Sequence, residues 1–245
     1  MTRRWQAVVE AITSNATAEI VAGRSAAAAE AAFKQARTDP AFLHVVRLLA
    51  QLPLAARSPD YLDDLRSLGI KLETAPTLLE LSAALAEGEV GRRRARSDIG
   101  ELANRALIAS LNTVVGPALP TLFGDDPDSL RTELGRHAGG ARFAVLGREF
   151  FARFTDGVLG YYLSRELAEH QGAGHRFSNE GDRAAFEDAL SLHCREASHI
   201  VEAYAGSWFG KHVYQGNGLT PDVIADFARY SIKKITDELK RRQDA

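Results

Sequence analysis

Phe143-Ala144-Val145-Leu146-Gly147-Arg148-Glu149-Phe150-Phe151-Ala152-Arg153-Phe154 opens an unbroken stretch that runs on through Val158, Leu159, Tyr161, Leu163 and Leu167. At about 100° per residue, Phe143, Phe150, Phe154, Val158 and Tyr161 share one side of a helix, while Leu159, Leu163 and Leu167 fall on other sides. A helix apolar on several sides belongs at the centre of a bundle. The spacing therefore predicts a long central helix over 141–171. A second long helix over 180–206 offers Phe186, Leu190, Ala197, Ile200 and Tyr204, with Trp208 just beyond, as a stripe to pack on it. The last helix, over 220–242, brings Ile224, Phe227, Ala228, Ile235 and Leu239 to one side.

On both sides of this stretch helical punctuation recurs, and no sustained two-residue alternation appears. Ser58-Pro59-Asp60 suits a helix start, and Gly69 followed by Ile70 suits a left-handed stop with its apolar contact. Thr77-Leu78-Leu79-Glu80 is a capping box, Asp126-Pro127-Asp128 another start, and Leu219 with Ile224 has the spacing of a hydrophobic staple. Further helices are predicted over 3–22, 25–37, 41–52, 59–68, 77–87, 97–115 and 127–137. The fold class is all-α, a multi-helix bundle of about ten helices with long central ones in the C-terminal part. The run 87–96 is the best hinge candidate. It divides an alanine-rich N-terminal region, 1–90, from a C-terminal bundle, 91–245, unless the two form one continuous domain.

Composition narrows the class. The net charge of -2 argues against a protein devoted to gripping polyphosphate. A lone cysteine, Cys194, allows no internal disulfide and fits a reducing compartment. No apolar segment follows Met1-Thr2-Arg3-Arg4, so no leader is expected, and no apolar run approaches the roughly 18 residues of a membrane span. The excess of arginine over lysine, with abundant alanine, suggests GC-rich bacterial coding. A cytoplasmic protein with no membrane association is expected.

Several polar residues could carry chemistry. His193 sits in the centre of the apolar stripe, between Leu190 and Ala197, as a general base, a metal ligand or, with no partner set visible, a packed core histidine. Arg165 falls on the side of Phe154, Val158 and Tyr161, where a charge needs a partner. Glu196-Ala197-Ser198-His199 has the Glu-x-x-His spacing of di-iron bundles, but a second such unit is missing. Cys194, His193, His170 and His175 do not make a zinc spacing, so no metal or cofactor is expected. Mid-helix beside an apolar stripe, Cys194 suits an inert buried thiol. The sequence holds neither a nucleophile elbow nor a phosphate-binding loop, and no catalytic residue is assigned.

Two segments suit partners. Gly206 to Gly218 holds Trp208, Phe209, Lys211, His212 and Tyr214 among four glycines, a permissive apolar loop suited to a binding surface. Arg92, Arg93, Arg94 and Arg96 form a basic run that could meet phosphates, though no base-reading module accompanies it. Alanine-rich helices over 11–36 could pack closely on a second copy or a partner helix. Together these features favour a non-catalytic helical interaction module, a scaffold or accessory subunit of a bacterial multi-protein system that binds another subunit or itself. One alternative is an enzyme, metal-dependent or an acid/base hydrolase, whose site assembles from Arg165, His193, Glu196 and His212. A second is a nucleic-acid-associated factor working through Arg92–Arg96.

Overall fold

The structure, a computed structural model, describes residues 2–87, 97–120, 126–216 and 218–242. Among these the chain is a multi-helix bundle without strands. The helices are α1 (Arg3–Thr13), α2 (Ala18–Ala28), α3 (Glu30–Ala36), α4 (Pro40–Arg57), α5 (Tyr61–Ser67), α6 (Leu78–Glu87), α7 (Asp98–Val114), α8 (Pro127–Arg136), α9 (Gly140–Glu169), α10 (Glu180–Ala197), α11 (His199–Gly210) and α12 (Pro221–Arg242). A short 3₁₀ turn spans Gly116–Ala118 and a π-helical turn spans Lys211–Gln215. The hinge candidate and all four arginines of the basic run lie outside the described residues, apart from Glu87 at its edge.

Local chemistry accounts for most helix ends. The Asp39, Ser97, Asp126 and Asn179 side chains each accept a backbone N–H from the first turn of the helix that follows. Thr77 and Glu80 close the capping box reciprocally, at 2.8 and 3.3 Å. Gly69 adopts φ +88° and lets the Ile70 N–H reach Leu65 O at 3.1 Å. Three expectations are corrected. The helix expected over 3–22 breaks after Thr13, because Asn15 takes φ +57°, a conformation asparagine tolerates better than most residues. The helix expected to stop at 52 runs through Pro53 to Arg57, since Leu52, Pro53, Ala55 and Ala56 are all buried and their packing outweighs one missing hydrogen bond. The helix expected over 180–206 divides at Ser198, whose hydroxyl donates to Cys194 O at 2.7 Å.

Helix α9 is the hub, packing chiefly on α11 and α7, with α10 alongside. Phe143, Phe150, Phe151 and Phe154 are fully buried, and the Phe42 ring of α4 lies 4.6 Å from Phe154. Helix α2 inserts between α1, α10 and α12, so Ala22 and Ala26 are consumed by packing within this chain. Residues on both sides of the hinge candidate, from Val8 to Leu239, join one apolar core. The turn between α9 and α10 is pinned to the N-terminal helices by Arg176. Its guanidinium donates to Ala11 O, Ile12 O and Ala16 O, capping the end of α1, and lies 4.3 Å from the Phe186 ring.

The tightest approach is between α9 and α11. A Cβ on Gly206 would stand 2.8 Å from Gly140 O, and one on Gly140 would stand 2.8 Å from Gly206 O. Beside this crossing the Phe143 and Phe209 rings stack at 4.0 Å. Gly206→Ala should therefore lower stability by about 1–3 kcal/mol through forced separation of two backbones. Urea denaturation would show this as a drop in midpoint with little change in slope, and an unaltered midpoint would contradict the crossing.

Candidate functional site

An open cleft of about 590 Å³ lies between α11 and α12. Its floor is aromatic because α11 presents Tyr204 and Trp208 one turn apart while α12 presents Phe227 and Tyr230. The Trp208 and Phe227 rings stack at 4.0 Å, and Tyr230 meets Tyr204 edge-on at 4.8 Å. The Tyr204 hydroxyl donates to Ser231 Oγ at 2.8 Å, and burial raises its pKa. Tyr230 remains 47% exposed. The rim is mostly cationic, with Arg37 from the end of α3 and Arg229 and Lys233 from α12, and His212 of the π turn completes the lining. The single rim carboxylate, Asp226, pairs with Arg229. A chain of net negative charge thus concentrates positive charge around one aromatic hollow.

The segment expected to be an aromatic-glycine loop is helical through Gly210 and continues as the π turn. Gly206 serves the close crossing, so its lack of a side chain is a packing requirement and not a source of mobility. The five aromatic and basic residues picked from this segment separate. Trp208 and His212 line the cleft, their rings 5.6 Å apart. Phe209 is fully buried against Phe143 and faces no partner. Lys211 is exposed. Tyr214 turns to the opposite side, donating to Ala138 O at 2.8 Å and accepting from Arg57 Nη1 at 3.1 Å. Arg57 borders a second groove with Arg131 and Arg136. The Arg57 and Arg131 guanidiniums there are held by the carbonyls of Gly135, Ala56 and Ser58.

The polar core candidates do not converge. Arg165 is not on a buried face: its side chain is 84% exposed and pairs with Glu169 at 2.9 Å. Over its last turns α9 buries Leu159, Leu163, Glu166 and Leu167 instead, on roughly the opposite side of the helix, leaving Tyr161 and Arg165 outward. Glu166 is the buried charge of that region, accepting the Trp5 indole N–H at 3.2 Å. Glu196 is exposed and lies 3.8 Å from Arg242. The break at Ser198 splits the Glu-x-x-His unit, and His199 turns to Arg148 and Glu202 at 3.2 and 3.6 Å. Among the described residues no group of three or more His, Cys, Asp or Glu side chains could hold a metal ion. Neither described cavity holds more than one of Arg165, His193, Glu196 and His212. Cys194 is fully buried and free, and burial pushes its thiol pKa well up.

Arg37, Arg229, Tyr230 and Lys233 were not singled out together by sequence reasoning. Asp226, Tyr230 and Lys233 recur at helical spacing on the polar side of α12, an aromatic among charges, and that was the available signal. Arg37 comes from a distant helix and had none.

His193 is only 5% exposed, and its Nε2 has no hydrogen-bond partner. Desolvation lowers its pKa from 6.5, opposed by Glu19 of α2, Glu196 of α10 and Glu238 of α12, and assisted by Arg242. The folded protein therefore holds this ring neutral, while the unfolded chain takes up a proton first as pH falls. The stability it contributes is present above pH 6.5 and is lost as pH drops through the depressed folded value. Burial shifts His137 in the same direction. His193→Gln should flatten part of the fall in melting temperature below pH 6.5; a slope identical to that of the parent chain would refute this account. No helix among the described residues is long and apolar enough to cross a membrane. Neither family models, curated proteins nor solved structures include a match to this chain.

Proposed function

We propose that this chain is a non-catalytic protein-interaction module, a scaffold or accessory subunit, whose docking surface is the cleft between α11 and α12. One observation carries the reading. An open hollow joins a stacked aromatic floor to a rim in which cations exceed carboxylates. Aromatic residues with a polar handle and arginines are the side chains that dominate binding energy at protein interfaces. The floor is also anchored: Trp208 and Phe227 rest on Phe143 and Phe209, so the surface is preorganised and little ordering accompanies binding. The occupant fitted by this surface is an acidic segment of a partner protein carrying at least one aromatic or large aliphatic side chain.

Trp208 supplies a direct test. Trp5→Phe leaves it as the only tryptophan. Random peptides displayed on phage and selected on the purified chain should include binders that shift Trp208 emission. Those binders should fail on the charge-reversed Tyr230→Glu, Lys233→Glu double variant. A selection that yields no peptides, or peptides that bind the double variant equally well, would sink the docking reading.

A further inference from the structure

Among the described residues, Arg37 is one of two half-buried arginines whose Nε lacks a hydrogen bond; the other, Arg183, has Glu187 at 3.6 Å and lines neither described cavity. Arg57 and Arg131 donate to main-chain carbonyls, Arg176 caps α1, and Arg153 pairs with Glu149 at 2.7 Å. The Arg37 Nε is buried and donates to nothing. Of the two other cleft cations on α12, Arg229 already has Asp226 and Lys233 stands exposed on the rim. A buried donor left unmade is unfavourable, and folded proteins rarely keep one without a reason. A guanidinium answers a planar pair of oxygens better than any other anion geometry, through two parallel hydrogen bonds.

Resting on the docking reading above, we infer that Arg37 is the anchor for a carboxylate of the partner segment. The specificity of the cleft is then a side-chain carboxylate close to an aromatic or large aliphatic residue. The carboxylate pairs with the Arg37 guanidinium where that side chain lines the cleft, and its apolar neighbour lies on Trp208 and Tyr230. The hollow favours a peptide over nucleic acid, because about 590 Å³ accommodates a few side chains and not a stretch of polynucleotide backbone. Charge complementarity sets the rest: Arg37, Lys233 and the Arg229–Asp226 pair leave the rim net positive and ready for an acidic segment.

Fluorescence anisotropy with three fluorescein-labelled peptides tests this. One alternates Glu with Phe, the second replaces each Glu by Gln, and the third replaces each Phe by Ala. The first should bind about tenfold or more tighter than the second, the worth of one charge-assisted hydrogen-bonded contact. Arg37→Met should erase that preference while leaving binding of the Gln peptide unchanged, and Arg37→Lys should restore only part of it. The melting temperature of each variant reports whether it has folded. An acid preference that survives Arg37→Met overturns the anchor. So does equal binding of the Glu and Gln peptides, although the docking reading would then stand. If none of the three peptides binds and the phage selection is also empty, docking and anchor fall together. A short oligoribonucleotide that binds more tightly than the Glu–Phe peptide, in an Arg37-dependent way, would replace the carboxylate by a phosphate and overturn the assignment.

Discussion

Two backbones in contact, at Gly140 of α9 and Gly206 of α11, fix where the remaining helices can go. Side chains normally hold packed helices about 8–10 Å apart, and only residues without a Cβ let the carbonyl oxygen of each helix come as close to the other's backbone as here. This approach brings Phe209 onto Phe143 and, one position earlier, sets Trp208 against Phe227 of α12. The same ladder of rings that fills the core thus surfaces at the cleft. The hollow is the exposed end of the packing, and its geometry is inherited from the crossing rather than from a loop.

Polar groups inside the bundle are mostly joints between segments. Arg176 ties the α9–α10 turn to α1, Arg57 and Arg131 tie α8 to the end of α4, and Trp5 reaches Glu166. Glu133, almost wholly buried, is matched by Arg136 and Arg142. Each charge finds an acceptor or a counter-charge, as burial demands. Against that background, the unfilled Nε of Arg37 and the bare Nε2 of His193 differ in setting. The first borders an open hollow, while the second is enclosed by α2, α10 and α12.

The all-α class was legible because the run from Phe143 to Phe154 is too long and too apolar for a strand, and because cap residues recur at helical intervals. Breaks at Asn15 and Ser198 were not legible, since both residues also occur within helices and only tertiary packing decides which conformation prevails. Arg165 was misplaced because an apolar wheel assumes one buried side along the full length. In α9 the surrounding helices cover different sides at its two ends. At the cleft, Trp208 and His212 could be found from a single segment, but their neighbours on α3 and α12 are brought in by folding. Sequence spacing carries no trace of that meeting.

The clamp formed by Arg176 bears on how the chain is made. Its acceptor Ala11 precedes it by 165 residues, and the surfaces that cover α2 belong to α10 and α12, which are synthesised later still. The cap on α1 and the cover over the alanine face of α2 therefore come from segments far along the chain, so these contacts close only when most of the polypeptide is present. Pairings of such long sequence separation form slowly and leave apolar surface open meanwhile.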